Sequence, residues 1–339
     1  MKTTWGINFQ RMMTAIQGGP NKPPVVIPYL QYYFEDVVEK ITSFKKADLE
    51  HGDVQRMADA HSGLHDYFDC DWIRVLPSDP LKVRRNLFGN KHDAKLIIKA
   101  EQLLEEDPHF ALAAEMVRRY GKEKFIYGRV FLPYPCLDLY ELGSIEDRLV
   151  ALKMEPEQMQ RTVEAFIRQQ LEEVRALSMV GVDGVWLGEL LSGADIISND
   201  DYLKFAYPGD KIIIDAVRQA GMIDIHHFTG EVMPRLGHIK ELSPTCFGVE
   251  EPKKNMELDI GKIRAELGDE ICLMGNIDVY GIVELAGPEE WARQVRKQIE
   301  AAGPEKFIVS CGSPITADTP PQQLRDFIRT AKEVRDSFA

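Results

Sequence analysis

Residues 159–189 read MQRTVEAFIRQQLEEVRALSMVGVDGVWLGE, and they join a helix pattern to a strand pattern. Apolar residues recur at three- and four-residue spacing from Met159 to Leu177, as on one face of an amphipathic helix. Gly181 stands where a glycine commonly ends a helix. The apolar run at 184–187 then predicts a buried strand. A long helix followed by such a strand is the repeating unit of a parallel α/β sheet.

The same alternation extends along the chain in both directions. Short apolar runs predict eight strands, at residues 25–30, 72–76, 125–131, 184–187, 222–226, 245–249, 271–274 and 307–310. Helix patterns separate them; one begins near Pro208 and ends near Gly221, and the last opens with the capping sequence TPP at 319–321. Eight strands alternating with helices predict an α/β fold, a single (β/α)8 TIM-type barrel.

An open, doubly wound sheet is the alternative arrangement. That fold normally has a glycine-rich turn after its first strand, whereas the turn at residues 29–32 reads YLQY and contains no glycine. The barrel is therefore the better prediction. It forms one domain over residues 1–339, in which residues 1–24 are expected to be an N-terminal helical extension.

The composition excludes several classes of protein. With 44% hydrophobic and 28% charged residues among 339, the chain is globular rather than disordered or collagen-like. Its net charge of −13, from 54 acidic and 41 basic residues, argues against nucleic acid as a partner. No apolar run is long enough for a membrane span, and the first residues, MKTTWG, lack the pattern of a signal peptide. We therefore expect a cytoplasmic protein with reduced cysteines, none of which forms a Cys-x-x-Cys zinc motif.

In a barrel, the chemistry takes place on loops that follow the carboxyl ends of the strands. The loop after the third predicted strand reads PYPC at 133–136. After the first predicted strand lies an aromatic cluster with one amide: Tyr29, Gln31, Tyr32, Tyr33 and Phe34. After the later strands lie acid–base, amide and thiol groups: Glu189, His226, His227, Glu250, Glu251, Asn276, Asp278 and Cys311. Groups of these types serve as general acids, general bases and metal ligands.

Each of these residues also has a purely structural interpretation. Because side chains alternate along a strand, at most one of His226 and His227 faces the barrel axis, and we expect a site role for His227. A lone histidine is more often a packing or capping residue, and Glu250 and Glu251 are suited to cap the next helix. Cys311 is suited to fill a small apolar space. The aromatic cluster fits either the core or the wall of an apolar pocket.

Several segments occur as an ordered set along the chain. They are GVDG at 181–184 before Glu189, ISNDDY at 197–202, HFTG at 227–230, LMGNID at 273–278 and DTP at 318–320. With this set, the sequence resembles the uroporphyrinogen decarboxylase superfamily, which includes corrinoid-linked methyltransferases as well as the haem-pathway decarboxylase. The resemblance covers residues 8–338. It implies a TIM-type barrel with its site at the carboxyl ends of the strands, in agreement with the strand pattern.

The decarboxylase branch has arginines that this chain lacks. Its members carry an Arg-Gln-Ala-Gly-Arg type segment after the first strand, whose arginines bind the substrate carboxylates. The corresponding residues 29–36 read YLQYYFED and contain no arginine. A porphyrinogen bears eight acetate and propionate groups and needs cationic partners. We therefore expect no uroporphyrinogen decarboxylation.

The methyltransferase branch commonly binds zinc through His-x-Cys after the fifth strand and a cysteine after the eighth. Here His227 matches the histidine, but Thr229 and Ser313 stand at the two cysteine positions. Cys311 lies two residues earlier, on the same face of an extended strand. The resemblance thus implies a zinc site of altered composition, with His227, Glu250 and Cys311 as its expected ligands. A site of histidine and carboxylate suits an oxygen ligand better than a thiol.

The leading hypothesis is a methyltransferase that moves a methyl group between a small substrate, such as a methoxylated aromatic, and a corrinoid protein. The corrinoid partner is implied by the resemblance alone. The expected site residues are catalytic His227, Glu189 and Asp278, and substrate-binding Tyr29, Gln31, Tyr32, Tyr33, Phe34 and Asn276. His227, Glu189 and at least one of Glu250 and Glu251 are expected to share one cavity, because loops at the strand ends converge on the barrel axis.

Two alternatives stay open. One is a decarboxylase of a small organic acid or a porphyrinogen, with Asp278 or Glu189 as the proton donor. The other is a non-catalytic barrel that binds a ligand, for which the absent cysteines argue. The sequence makes no prediction of oligomeric state.

Overall fold

The computed structural model describes residues 5–19, 22–50, 53–75, 97–132, 144–253 and 255–338, without the side chains of Gln31 and Glu50. Seven strands form one sheet whose order follows the chain. They are β1 (Trp72–Arg74), β2 (Phe125–Phe131), β3 (Gly184–Glu189), β4 (Ile223–Phe228), β5 (Cys246–Val249), β6 (Cys272–Met274) and β7 (Phe307–Ile308). Every neighbouring pair is parallel. This order is compatible with a TIM-type barrel.

Helices precede the sheet and separate its strands. They are α1 (Ile7–Gln17), α2 (Leu30–Ile41), α3 (Ala47–Glu50), α4 (Val54–Phe68), α5 (Ala100–Glu106), α6 (Pro108–Tyr120), α7 (Ile145–Met154), α8 (Pro156–Val180), α9 (Asn199–Asp201), α10 (Tyr207–Gln219), α11 (Leu236–Leu242), α12 (Ile260–Leu267), α13 (Pro288–Ala302) and α14 (Pro321–Ser337). Two π turns lie at Tyr202–Ala206 and Val279–Glu284. Over the described ranges, none of these helices combines the length and the apolar character that a bilayer crossing requires.

The first predicted strand, at residues 25–30, is reduced to a single parallel bridge to Val309. Backbone hydrogen bonds join residues 24–26 to Val309 on one side, at 2.9 and 3.0 Å, and to Asp71 on the other, at 3.1 Å. The segment therefore lies between the last strand and the residue before β1. It is short because α2 begins at Leu30. The sequence predicts eight strands, and the described residues form seven, with this bridge in place of the first predicted strand.

Helix α8 follows the pattern from which the fold was predicted. Its apolar positions, among them Phe166 and Leu177, are buried. Gly181 ends it with φ 86° and donates its N–H to the carbonyl of Leu177 at 3.1 Å. Gly128 of β2 lies against Leu177, where a larger side chain would collide with it. The helix therefore packs closely on the sheet, and β3 begins a few residues after its end.

Neighbouring strands are in a register that places alternate side chains on one face of the sheet. Arg129 of β2 is opposite Trp186 of β3, and Gly188 of β3 is opposite His227 of β4. Residues in register on parallel strands point to the same side. These residues therefore face one side at the carboxyl ends of their strands. The predicted loop at 133–136 and the end of the second predicted strand at residue 76 lie outside the described residues.

Helix α1 belongs to the segment predicted as an N-terminal extension. It contacts β1, β2, β6 and β7. The amide of Gly6, just before this helix, donates to the carbonyl of Lys122, which precedes β2, at 2.6 Å. Helix α1 thus lies near the amino ends of the strands, at the opposite end of the sheet from the predicted site.

Candidate functional site

A cavity of about 330 Å³ opens at the carboxyl ends of the strands. Four aromatic side chains form its apolar wall: Tyr29, Tyr32, Phe131 and Trp186. Its polar groups come from different elements: Arg129 on β2, Thr229 after β4, Glu250 after β5 and Ser313 after β7. A cavity of this size, largely apolar with a few converging polar groups, is typical of a small-molecule site.

Tyr29 has an unusual backbone conformation. It lies directly before α2 in the left-handed region, with φ 58° and ψ 16°. For a residue other than glycine this conformation costs on the order of 1–3 kcal/mol, and such residues cluster at functional sites. The Tyr29 hydroxyl lies 3.3 Å from Nδ1 of His227. The ring also meets Trp186 edge-on, with 5.3 Å between ring centroids.

His227 is buried behind the cavity wall. Its ring stacks on Trp186 at 4.7 Å between centroids and an interplanar angle of 25°. Burial, with a smaller effect of His226, lowers the pKa of His227 to about 3, so its imidazole is neutral at physiological pH. Nε2 has no hydrogen-bond partner among the described residues. A neutral imidazole donates or accepts at Nδ1 according to its tautomer.

His226 lies on the other face of β4. Its ring contacts Phe247 of the neighbouring strand edge-on, at 5.6 Å between centroids. This separation of the two histidines follows from the two-residue period of a strand. His226 is therefore a packing residue, and His227 is the histidine next to the cavity.

Two arginines from the first two strands lie at the aromatic wall. The Arg74 guanidinium carbon is 5.3 Å from the ring centroids of both Tyr29 and Tyr32. Arg129 lies over Phe131 at 3.9 Å and donates a hydrogen bond to the Tyr32 hydroxyl. Burial would raise the pKa of Tyr32, but the two guanidinium groups outweigh it and hold that pKa below its usual value. For Tyr29, burial prevails and raises the pKa to about 12.

Sequence reasoning missed both arginines, because they lie inside the apolar runs WIRVL and FIYGRVF. A usable signal was present. A charged residue inside a buried strand is costly unless it faces a polar cavity or a partner. The cations at the cavity thus come from Arg74 and Arg129 on the strands and not from the first loop. Trp186 was missed for the same reason, since it lies within the apolar run of β3.

An acidic pair follows β5. The Glu250 carboxylate accepts hydrogen bonds from the amide of Gly230 at 2.9 Å and from Nζ of Lys253 at 2.6 Å. Glu251 accepts a hydrogen bond from Oγ of Ser313 at 2.6 Å, and burial raises its pKa. Glu250 lines the cavity, whereas Glu251 does not but is hydrogen-bonded to Ser313, which does.

Glu189 does not reach the cavity. Gly188 lines it, so the next side chain of β3 lies on the opposite face of the strand. There Glu189 accepts a hydrogen bond from Ser192 and lies beside Asp210 of α10. The expectation that Glu189 and His227 share one cavity is therefore wrong, because Gly188 stands opposite His227 in the register.

Glu189 and Asp210 form a fully buried carboxyl pair instead. Burial raises the pKa of Glu189 to about 7, and burial with the neighbouring Glu189 raises that of Asp210 well above its usual value. Two carboxylates in contact repel each other, so the pair retains a proton. Arg235, which lies 4.7 Å from the centroid of the Tyr202 ring, supplies a positive charge nearby.

The predicted aromatic cluster divides between the cavity and the core, because most of it belongs to a helix. Tyr29 and Tyr32 are three residues apart, share one face and line the cavity. Tyr33 and Phe34 are fully buried and contact Phe68 of α4. Neither therefore belongs to the cavity wall, contrary to the substrate-binding role expected for them. The side chain of Gln31 lies outside the described atoms.

Three further expected residues have structural partners and do not line the described cavity wall. The Asn276 amide donates to two backbone carbonyls, among them that of Glu250 at 3.0 Å, and so fixes the loop after β5. Asp278 caps the second π turn by accepting the amide N–H of Gly281 at 3.0 Å. Cys311 is buried, which raises the pKa of its thiol well above the usual value.

The expected zinc ligands do not come together. His227 is held against Tyr29 and Trp186, and Glu250 accepts hydrogen bonds from other donors. Cys311 is buried and is not among the residues that line the cavity. Within the described part of the chain, no three His, Cys, Asp or Glu side chains are placed to hold one metal ion. Zinc sites in proteins use three or four such ligands. The described residues therefore do not fit the expected zinc site.

Fold and cavity together define a parallel α/β protein with TIM-type connectivity and, at the carboxyl ends of its strands, a cavity typical of small-molecule sites. The sequence profile of a family described as uroporphyrinogen decarboxylase (URO-D) matches residues 139–334. This match covers more than half of the chain. The chain belongs to the URO-D family, as its ordered motifs predicted.

Curated relatives and a solved structure are similar to different extents. The uroporphyrinogen decarboxylase of Trichodesmium erythraeum is 29% identical over 157 residues, which are 45% of this chain and 40% of that protein. Uroporphyrinogen decarboxylase 2, chloroplastic, of Arabidopsis thaliana is 22% identical over 261 residues, 74% of this chain and 63% of that protein. The chain thus spans less than two thirds of the length of these relatives.

A methyltransferase from Methanosarcina mazei has the same fold. Its structure matches this one with a TM-score of 0.76, over 97% of this chain and 99% of that chain, at 15% identity. At this identity the likeness concerns the fold alone.

Proposed function

We propose that this protein transfers a methyl group from an oxygen of a small, flat substrate to a corrinoid carried by a partner protein. The observation that carries the proposal is the contact between Tyr29, which lines the aromatic cavity, and His227, which is buried behind its wall. The fold shared with the methyltransferase from Methanosarcina mazei supports it.

The cavity wall suits a flat ring. Tyr29, Tyr32, Phe131 and Trp186 supply aromatic surfaces for stacking and edge contacts. The volume of about 330 Å³ lies at the small end of ligand pockets, which matches a single substituted ring. A methoxylated aromatic has this shape, and its methyl group is bonded to an oxygen that leaves as a phenolate.

Tyr29 is the group proposed to stabilise that leaving oxygen. When the bond from the methyl carbon to oxygen breaks, its electron pair stays on the oxygen, and the Tyr29 hydroxyl donates a hydrogen bond to the growing negative charge. A pKa raised to about 12 keeps this hydroxyl protonated at physiological pH. With its proton on Nδ1, His227 donates to the Tyr29 oxygen and leaves the hydroxyl proton directed to the cavity.

The methyl acceptor comes from outside the cavity. A reduced corrinoid on the partner supplies the electron pair for the new bond to the methyl carbon. Two apolar side chains at the cavity are partly exposed, Tyr32 at 42% and Leu190 at 38%, so the rim offers apolar surface to a docking partner. The substrate methyl group is proposed to face the part of this rim that Leu190 forms.

The experiment compares Tyr29→Phe with the wild-type protein. Methoxybenzenes and methoxybenzoates are incubated anaerobically with the protein and free cob(I)alamin, and the phenols formed are measured by chromatography. Removing one such hydrogen-bond donor is expected to lower the rate about 10²- to 10³-fold. Tyr280→Phe is the matched control, since Tyr280 is 66% exposed and lies outside the cavity wall. Phenol release that is absent from every substrate, or equal in Tyr29→Phe and the wild type, contradicts the proposal.

A second candidate is a decarboxylase of a small organic acid. Two observations favour it: guanidinium groups lie at the cavity, and the curated relatives are named uroporphyrinogen decarboxylases. Release of labelled carbon dioxide from a carboxyl-labelled acid, without corrinoid, would distinguish it from methyl transfer.

A further inference from the structure

We propose that the cavity selects an aromatic acid over neutral or cationic compounds and binds its carboxylate beside Arg129 and Tyr32. The inference deepens the proposed function by naming the substrate class. The inference rests on the proposed function, because it takes methyl transfer as the reaction. The binding of the aromatic acid is measured independently of that reaction.

Charges in and around the cavity are segregated along the sheet. Arg74 and Arg129 come from β1 and β2, whereas Glu250 and Glu251 follow β5, three strands beyond β2. A guanidinium group binds a carboxylate through parallel hydrogen bonds and discriminates strongly against groups of other geometry. A substrate carboxylate is therefore attracted to the β1–β2 side of the cavity.

In the described part of the chain, the carboxyl groups of Glu250 and Glu173 bear on this electrostatic pattern. Glu250 lines the cavity, but Lys253 donates to it at 2.6 Å and balances its charge locally. Glu173 of α8 is near enough to Arg129 for the two to interact, yet burial raises the pKa of Glu173 to about 8. Glu173 is therefore mostly protonated at neutral pH and adds little negative charge beside Arg129.

The same wall disfavours a cationic methyl donor. Proteins bind quaternary ammonium groups on the faces of aromatic rings. Here guanidinium carbons already lie over Tyr29 and Tyr32 at 5.3 Å and over Phe131 at 3.9 Å. A second cation at these faces would be repelled. The same two guanidinium groups hold the pKa of Tyr32 below its usual value despite burial.

The first test compares three ligands of one shape. Para-methoxybenzoate, para-methoxybenzamide and para-methoxyphenyl-trimethylammonium are titrated into the full-length protein, with binding followed by calorimetry and tryptophan fluorescence. The benzoate is expected to bind at least about ten-fold more tightly than the amide, and the ammonium compound more weakly than both. Equal dissociation constants for benzoate and benzamide, or tightest binding of the ammonium compound, would overturn the inference.

The second test changes the cation. Arg129→Met is expected to weaken benzoate binding at least about ten-fold and to leave benzamide binding within two-fold of the wild type. Arg161→Met is the matched control, because Arg161 is 69% exposed on α8. Circular dichroism checks folding; should Arg129→Met not fold, Arg129→Lys replaces it, with weaker benzoate binding expected because a lysine cannot bind in bidentate fashion. Benzoate binding as tight as in the wild type contradicts the inference.

Methyl transfer separates this inference from the function on which it builds. Selective binding of the benzoate, without methyl transfer from any methoxylated compound, contradicts the proposed function and leaves the inference intact. Methyl transfer with the same kcat/KM from methoxybenzene and from methoxybenzoate contradicts the inference and leaves the proposed function intact.

Discussion

The contacts of single residues, above all those of Tyr29, determine the geometry of the site. Tyr29 is held at φ 58°, next to the start of α2, and its hydroxyl lies 3.3 Å from Nδ1 of His227. The edge contact with Trp186 and the guanidinium of Arg74 over its ring hold the same side chain. These contacts offset the cost of a backbone conformation that a tyrosine rarely adopts. Tyr29 is thus fixed before any substrate binds.

His227→Phe tests the positioning role of the histidine. Phenylalanine keeps the stacking on Trp186 but removes the Nδ1 partner of Tyr29, so kcat is expected to fall about 10- to 100-fold with KM little changed. Because burial lowers the pKa of His227 to about 3, imidazole protonation should cause no loss of activity between pH 6 and 8. Steady-state kinetics over this pH range measures both effects.

His226→Phe is the control for this substitution, since His226 contacts Phe247 on the other face of β4. It should leave kcat unchanged. A rate in His227→Phe equal to that of the control would mean that the histidine does not orient Tyr29.

At this scale the sequence predicts some site residues and misassigns others. Alternation along β4 selects His227 correctly as the histidine beside the cavity. The sequence does not predict the arginines as site residues, because a run with a single charged residue still reads as an apolar strand. Arg129 in FIYGRVF is an example. Tyr33 and Phe34 are misassigned because the segment was treated as a loop, whereas a helix turns them toward α4.

Secondary-structure elements explain how a carboxyl pair came to lie behind the cavity. Glu189 ends β3 with its side chain on the helix face, and Asp210 lies in the first turn of α10. Both are fully buried. Their burial keeps a proton on the pair at neutral pH, because it raises both pKa values.

The stability of the protein should therefore decrease with rising pH. A carboxyl group whose pKa is raised in the folded state contributes most below its unfolded pKa, near 4.5, and loses that contribution up to its folded pKa, about 7 for Glu189. Asp210→Asn should flatten this dependence, since the amide cannot ionise and donates to Glu189. Urea unfolding at several pH values between 5 and 8 measures the slope.

Asp215→Asn is the control, because Asp215 is 43% exposed on the same helix and faces Lys211. It should retain the slope of the wild type. A slope that is unchanged in Asp210→Asn would show that the pair does not hold the proton.

The glycine at the end of α8 gives a prediction about backbone conformation. Gly181 has φ 86° with no atom within 4 Å of an added Cβ, so Gly181→Ala should destabilise the protein through its backbone alone. The expected loss of unfolding free energy is about 1 kcal/mol. Gly237→Ala in α11 also meets open space, at ordinary helical φ, and should be neutral or stabilise by up to about 1 kcal/mol. Urea titration compares them, and an equal effect of both substitutions contradicts the account.

The sequence predicts the presence of secondary-structure elements better than the residues at which they begin and end. Runs of β-branched and aromatic residues located the longer strands β2, β3 and β4, because parallel strands covered on both faces are apolar throughout. The first run was predicted as a strand over residues 25–30, and only a bridge formed. Residues 25–30 are apolar because they are buried, and both a strand and the start of a helix can be buried. The sequence pattern therefore could not distinguish a strand from the start of α2.

At the scale of the whole molecule, the net charge of −13 contrasts with the positive groups at the cavity. Total charge therefore does not predict the charge of the site. The family could be predicted from ordered motifs, whereas the branch depends on side chains that converge only in three dimensions. The loss of arginine from the first loop and its presence on β1 and β2 illustrate this limit.

We expect that the substrate of this protein is not a porphyrinogen, although the chain belongs to the URO-D family. Glu35 and Asp36 stand in the segment where the decarboxylase branch has arginines. Among the described residues, Arg74 and Arg129 supply guanidinium groups at the cavity, fewer than the paired contacts that a molecule with eight carboxylates needs. We expect no coproporphyrinogen to form in an anaerobic assay with uroporphyrinogen. Formation at an enzymatic rate would refute this prediction.

Transfer of an isotopically labelled methyl group tests the central claim most directly. Para-methoxybenzoate carrying a deuterated methyl group is incubated anaerobically with the protein and cob(I)alamin, and mass spectrometry follows the label. The account predicts that the label moves to the corrinoid as para-hydroxybenzoate forms, at a rate that Tyr29→Phe lowers about 10²- to 10³-fold. A label that stays on the benzoate, or release of carbon dioxide in place of methyl transfer, would contradict the account.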